Sequence, residues 1–475
     1  MITVDFSKRG ESSLTEYLYN QLKDRIKAGA LHGDEKLPSK RALACHLGIS
    51  VITVQNAYEQ LIAEGYIYSF EKKGYFVTPI SPTFLAQETT KKNNMPAVQN
   101  KILEAGSNQH SDIVIDLKGN SLNPRQFPFS IWAKLLRQNL SQSKGKILAP
   151  LPPQGTEELR VAIAEHLNRF RNMSVDSSQI VVGAGTEYLY SLIVQLLGKD
   201  CIYAVENPGY KKTATIIQAN GGGCIPIHMD SFGLSPLELE VSKTKVVHVS
   251  PAHHFPTGII MPIKRRQELL SWAVRKNGFI IEDDYDSEFR FDGRPLDTLF
   301  STDMNERVIY LNTFTKTISP SLRISYMVLP QHLALEFRKK LGFYSCTVSS
   351  IEQLTLAQFI AEGFFEKHLV RMKNYYRNLR DTLVLELDKS PLGKSIAITG
   401  KNSGLHFLLN LKTDLSDMEL AKQLKKSGIK ISFLSEYYHN PGKEHNGTLV
   451  VNYSGLRREQ IVLAVDSLCK ATGSI

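Results

Sequence analysis

A chain of 475 residues, 42% hydrophobic and 22% charged, carries enough apolar material for two or three globular cores, which excludes a disordered or fibrous protein. No run of about 18 apolar residues occurs, the segment Met1–Glu11 is polar, and the five cysteines are scattered, odd in number and never spaced CxxC. A cytoplasmic protein without a membrane span, disulfide framework or metal site is expected. The formal charge of +10 favours a polyanionic partner, yet residues 1–80 hold ten Lys and Arg against nine Asp and Glu, so any nucleic-acid contact must rest on local placement of charge.

Leu14, Tyr17, Leu18, Leu22 and Ile26 fall at helical spacing and predict an amphipathic helix. Ser39 is a good N-cap for a second helix over Lys40–Leu47, with Leu43, Ala44 and Leu47 on its apolar face. Gly48-Ile49-Ser50 then makes a tight turn, and Ser50 caps a third helix over Val51–Glu64 with Val54, Ala57, Tyr58, Leu61 and Ile62 inward. Two short helices joined by a three-residue turn containing glycine form a helix-turn-helix. Ile52, Thr53, Gln55 and Asn56 lie on the first turn and outer face of the third helix, where a recognition helix meets base edges. Tyr66–Ser69 and Tyr75–Val77 predict a hairpin whose tip is Glu71-Lys72-Lys73-Gly74, and Lys40, Arg41, Lys72 and Lys73 are candidate phosphate contacts.

Residues 80–111 are polar and poor in aromatics and read as a linker between a DNA-binding domain over 1–79 and a second domain over 112–475. From Ile113 onward short apolar strands alternate with helical patterns: Gln179–Val182, Cys201–Val205, Val246–Val249, Phe279–Glu282, Arg307–Leu311 and Arg323–Leu329. That alternation predicts an α/β fold with a mainly parallel sheet, and the residues from about Asn378 predict a smaller α/β lobe.

Four motifs stand at strand ends. Gly183-Ala184-Gly185-Thr186 opens a helix, where glycines and free N–H groups suit a phosphate. Tyr210 follows the next strand and suits ring stacking. Glu282-Asp283-Asp284-Tyr285-Asp286 is a carboxylate cluster that can hold a proton on a ring nitrogen, with Tyr285 available to a ring hydroxyl. Lys316 sits in the hydroxyl-rich run Asn312–Ser321, with Thr313 and Arg323 able to pair a phosphate. An amine, a carboxylate, a phosphate cradle and an aromatic are the parts that pyridoxal 5'-phosphate requires.

The run LPSKRALACHLGISVITVQNAYEQLIAEGYIYSFEKKGYFV resembles the winged helix-turn-helix of the GntR regulators. That resemblance implies double-stranded operator DNA as partner, contacted through Ser39, Arg41, Thr53 and Lys72–Gly74. Residues from about 113 to 470 resemble a fold-type I aminotransferase, with further matches at Pro153-Gln154-Gly155, Leu159-Arg160, His253–Gly258 and Ser403–His406. The combination is similar to the MocR subfamily of regulators. It implies a Schiff base between Lys316 and pyridoxal 5'-phosphate, Asp283 at the ring nitrogen, Tyr285 at the ring hydroxyl, Tyr210 stacked, and Gly185, Thr186, Thr313 and Arg323 on the phosphate. It also implies a head-to-tail homodimer.

Three positions depart from these patterns. Val51 replaces an arginine that commonly follows the capping serine, and Phe255 replaces the asparagine that precedes Pro-Thr-Gly, a space open to His253 or His254. Leu449-Val450-Val451 stands where aminotransferases carry the arginine that clamps the substrate α-carboxylate, and Arg457 and Arg458 read as helix-start surface residues. Lys211 and Lys212 fit either an effector's anion or a solvated pair. The expected function is a DNA-binding transcription regulator that senses pyridoxal phosphate or its adduct with a small amine. An active aminotransferase with an accessory DNA-binding domain is the alternative, which the absent clamp opposes.

Overall fold

The computed structural model describes residues 2–10, 12–70, 73–79, 115–119, 123–291, 296–440 and 447–473. The expected linker, residues 80–111, and Lys72 lie outside them. The chain divides into two compact units, residues 1–108 and 109–475.

In the first unit α1 (Leu14–Lys27), α2 (Lys40–Leu47) and α3 (Val51–Ala63) begin at serines that accept backbone N–H groups: Ser39 Oγ from Ala42 at 3.2 Å and Ser50 Oγ from Thr53 at 3.0 Å. Gly48, at φ 67°, ends α2 in a left-handed cap that a side chain would strain. Leu18, Leu22, Val54, Ala57, Tyr58 and Leu61 close a core without exposed area, and Tyr58 donates its hydroxyl to the Pro38 carbonyl at 3.0 Å. Ile62 departs from expectation. It is 37% exposed on the last turn of the helix, which ends one residue later. The wing is β2 (Ile67–Phe70) paired antiparallel with β3 (Gly74–Val77). A two-residue strand, β1 (Lys36–Leu37), joins β3 and makes the sheet three-stranded.

The second unit is built on an eight-stranded sheet in the order β5 (Ile180–Gly183), β12 (Ser325–Val328), β11 (Val308–Thr313), β10 (Phe279–Asp283), β9 (Val246–Val249), β6 (Ile202–Asn207), β7 (Gly223–Asp230) and β8 (Gly233–Leu234). Strands β11, β10, β9, β6 and β7 run parallel, whereas β12 opposes both neighbours and β8 opposes β7. Alternate residues feed opposite faces: Ile309 and Leu311 join one apolar cluster and Tyr310 the other. The last predicted strand is shorter than expected. Arg323 lies before it in a left-handed turn at φ 52°, following the short helical turn Pro320–Leu322.

The smaller lobe is an antiparallel sheet, β13 (Ile396–Thr399), β14 (His406–Leu411), β17 (Thr448–Asn452) and β16 (Ser432–Phe433). The helices Phe364–Lys389 and Ile461–Ala471 pack on it through Leu379, Leu383, Leu387, Ala464 and Leu468. The start of the unit also belongs to this lobe, because β4 (Ile115–Asp116) pairs in parallel with β15 (Ile429–Lys430). The lobe therefore draws on both ends of the domain rather than on the residues after Asn378 alone.

Candidate functional site

Ligands of open parallel sheets bind beyond the carboxyl ends of the strands. Here β6, β9, β10 and β11, with the start of the helix that follows β5, all deliver residues to one cavity of about 370 Å³ from that edge, within the usual range for a small-molecule site. Tyr210, Asp283, Tyr285, Thr313, Lys316, Arg323 and Thr186 all line it.

At one end Gly185 precedes the helix Thr186–Leu197, whose first turn has no side-chain cap. Gly185 has φ 92°, and a Cβ there would collide with the Arg323 guanidinium, so glycine lets that guanidinium lie against the backbone at the start of the helix. Arg323 pairs with Glu187, and Lys212 Nζ lies 2.5 Å from the same carboxylate. Lys212 is therefore engaged as an ion pair. Thr313 is buried, with its hydroxyl 2.7 Å from Thr315 Oγ1 and 2.8 Å from Ser325 Oγ.

The floor is acidic. Asp283 Oδ2 accepts the Tyr190 hydroxyl at 2.8 Å and lies 3.6 Å from His248 Nε2. The same Tyr190 hydroxyl is 2.8 Å from His248 Nε2. Asp283 Oδ1 is buried without a hydrogen-bond partner among the described residues. Next along the chain, Asp284 is consumed by structure: it pairs with buried Arg171 at 2.5 Å and accepts Tyr310 Oη at 2.7 Å. Glu282 accepts the Leu299 and Phe300 N–H groups at 2.9 and 3.0 Å and begins the helix Leu299–Thr302. Of the carboxylate cluster, Asp283 and Asp286 line the cavity.

Lys316 Nζ lies 6.0 Å from the Tyr285 ring centroid. Desolvation pulls its pKa down to about 8, against the raising influence of Asp286 and Asp283. The Tyr285 hydroxyl is 3.4 Å from His253 Nδ1, which is itself 3.0 Å from Asp286 Oδ2. Burial, then Asp286, holds the Tyr285 phenol well above its ordinary value, so it remains a hydroxyl donor. His253 and His254 are both 2% exposed and stand behind the cavity wall, which Phe255 itself lines. Tyr210 is 53% exposed, at the start of the helix Lys211–Ala219. Arg457 and Arg458 are exposed at the turn before the last helix, whereas Val450 lines the cavity.

Sequence reasoning did not single out Glu187, Tyr190 or His248 as site residues. Each comes from an element whose residue at that position also suits ordinary packing, and only the fold brings them together.

On the first unit the expected DNA-facing residues divide by what they already bond. Ser39 is spent on its cap, and Thr53 Oγ1 is 2.8 Å from Ser50 Oγ. Gln55 Nε2 donates to Glu59 at 2.8 Å. Arg41 and Asn56 are exposed, Lys40 is half-buried, and exposed Lys73 lies 5.7 Å from the Phe70 ring beside Gly74.

Comparison with known proteins gives the same division. Residues 14–77 match the family of bacterial regulatory proteins of the gntR type, and residues 112–468 match aminotransferase class I and II. The HTH-type transcriptional regulator YhdI of Bacillus subtilis is 37% identical over 98% of this chain and 97% of its own length. The probable rhizopine catabolism regulatory protein MocR of Rhizobium meliloti is 29% identical over 96% of this chain and 92% of its own. Among solved structures, the Pyrococcus horikoshii kynurenine aminotransferase superposes with a TM-score of 0.67 at 23% identity, over 83% of this chain and 96% of that one, a likeness of fold alone. The chain thus belongs to the MocR-type HTH transcriptional regulators, in which a GntR helix-turn-helix is joined to an aminotransferase class I and II domain.

Proposed function

We propose that this regulator takes up pyridoxal 5'-phosphate on Lys316 and answers the cofactor, or its adduct with a small amine, by changing how it holds operator DNA. The observation that carries the reading is the unpartnered buried oxygen of Asp283 at the cavity floor. A buried carboxylate oxygen without a donor is costly, and a protonated ring nitrogen would satisfy it. At the other end the uncapped start of the helix Thr186–Leu197, with the Arg323 guanidinium against Gly185, suits a phosphate.

When bound, the cofactor supplies an electron-withdrawing ring conjugated to the amine it carries. Asp283 holds the proton at the ring nitrogen, and Tyr190 and His248 keep that carboxylate oriented. Tyr285 serves the ring hydroxyl, Tyr210 stacks, and Gly185, Thr186, Thr313 and Arg323 hold the phosphate. Lys316 sheds its proton near neutral pH and so supplies a nucleophilic amine. Residues 1–79 act as the DNA-binding head, 80–111 as a linker and 112–475 as the sensing domain of a cytoplasmic head-to-tail homodimer. Val450 in place of a guanidinium opposes sustained transamination.

The test is the visible spectrum of the purified protein with pyridoxal phosphate, before and after borohydride. Wild type should gain a band that borohydride fixes covalently, and Lys316→Ala should gain none while keeping its circular dichroism. The uptake rate should rise with pH and level off above about 8, because the neutral amine is the reacting form. Absence of the band in wild type refutes the cofactor reading.

A further inference from the structure

One wall of the cavity serves neither the ring floor nor the phosphate end. Phe255, Leu405, His406, Tyr437 and Val450 form most of it, with Ser432 beside Val450 and Asn452 beside His406 as its neutral polar members. Val450 is 2% exposed and packs with Leu408 and Leu434, and Phe255 and Tyr437 lie against that cluster. The Phe255 ring centroid is 5.0 Å from both His406 and Tyr437 and 6.0 Å from Tyr210. His406 is 4.5 Å from His253, which reaches Tyr285, so this wall adjoins the Lys316 side of the cavity. His406 Nε2 bonds the Pro256 carbonyl at 3.1 Å, and burial followed by His253 keeps the ring neutral at physiological pH.

Among the described lining residues the arginine and the lysines are not part of this wall, and the one that comes beside it, Lys118, pairs with Glu436 next to Tyr437. Arg323 is held by Glu187, Lys118 lies 3.0 Å from Glu436, and Lys211 is exposed at the mouth. A carboxylate placed against Phe255 and Val450 would lose water and meet no guanidinium or ammonium of the wall itself, whereas an apolar group would be buried favourably.

Resting on the cofactor reading above, we propose that the cavity admits beside pyridoxal phosphate a primary amine whose amine-bearing carbon carries no carboxylate and whose substituent is apolar or aromatic. The wall selects by leaving a carboxylate unpaired, the way a pocket rejects a charged analogue of its ligand.

The experiment titrates the cofactor-loaded protein with two matched pairs, phenethylamine against phenylalanine and isoamylamine against leucine, read by the change in the visible band and by calorimetry. Each amine should bind about tenfold tighter or more than its amino acid, the loss expected when a charge is moved out of water without an opposite charge to pair with. Val450→Arg should reverse the order by restoring a guanidinium to the wall. Equal or tighter binding of the amino acids by wild type overturns the proposal, as does binding of neither member of either pair at millimolar concentration. If Val450→Arg does not fold, the wild-type pairs decide alone. Failure of the protein to take up pyridoxal phosphate at all would instead overturn the underlying cofactor reading, which separates the two failures.

Discussion

Glu187 pairs with Arg323, the guanidinium that the proposed reading gives to the cofactor's phosphate. Partial burial raises its pKa, but hydrogen bonds from Lys212 and Arg323 outweigh that and hold it at about 2, so the carboxylate is charged across the physiological range. On that reading it competes with the phosphate for the guanidinium, and its displacement would be part of the cost of binding. Exposed ion pairs of this kind are worth only ~0.2–1 kcal/mol each after screening. Glu187→Gln should accordingly tighten pyridoxal phosphate binding by roughly two- to fivefold, read by spectral titration, with little dependence on pH between 6 and 8 because the wild-type carboxylate does not titrate there. Unchanged or weaker binding would mean that Glu187 orients Arg323 instead of competing for it. The residues of the cavity that contiguous motifs carry, Thr186, Tyr210, Asp283, Tyr285 and Lys316, were legible in the sequence. Those that act on them through space were not: Tyr190 reaches Asp283 across 93 positions of sequence, and nothing in a helix reading Tyr188-Leu189-Tyr190 marks one tyrosine as a hydrogen-bond donor.

At the scale of the element, the head shows which signals local chemistry can carry. Serine caps and a 3.6-residue apolar stripe specify α1, α2 and α3 within a residue or two. The strand Lys36–Leu37 escaped because two residues cannot display a period, and β4 and β15 escaped for the same reason. Strand β7 has Pro226 within it and exposed positions along it, a pattern that reads as loop until its parallel pairing with β6 is known. The central strands β9, β10 and β11 were legible because strands buried on both faces are unbroken apolar runs. Arg41, exposed at the second residue of α2, has a side chain free of the caps that occupy Ser39 and Ser50. Arg41→Ala should weaken binding to every DNA sequence by a similar factor and reduce the slope of log affinity against log salt by ~0.9 for the one phosphate it no longer neutralises. Anisotropy titrations over a range of salt check this. A weakening confined to one sequence with an unchanged slope would assign Arg41 to base reading.

The whole molecule joins a GntR-type helix-turn-helix head to an aminotransferase-like domain, each with its own apolar core. Regulation requires that the two binding free energies be coupled, and coupling is reciprocal by thermodynamic necessity. If pyridoxal phosphate changes operator affinity by some factor, operator DNA must change pyridoxal phosphate affinity by the same factor. Couplings of this type are typically ~1–3 kcal/mol, or about 5- to 150-fold. The prediction is that spectral titrations of the cofactor with and without promoter DNA, and anisotropy titrations of that DNA with and without the cofactor, give one common factor of about five or more, and that Lys316→Ala reduces it to one. Closure of this cycle excludes two trivial explanations, direct competition for the DNA-binding face and nonspecific Schiff-base modification of surface lysines, because neither depends on Lys316. A factor of one in wild type, with the cofactor demonstrably bound, would leave the aminotransferase-like domain as an assembly scaffold, and the DNA-binding head would then answer to its concentration alone.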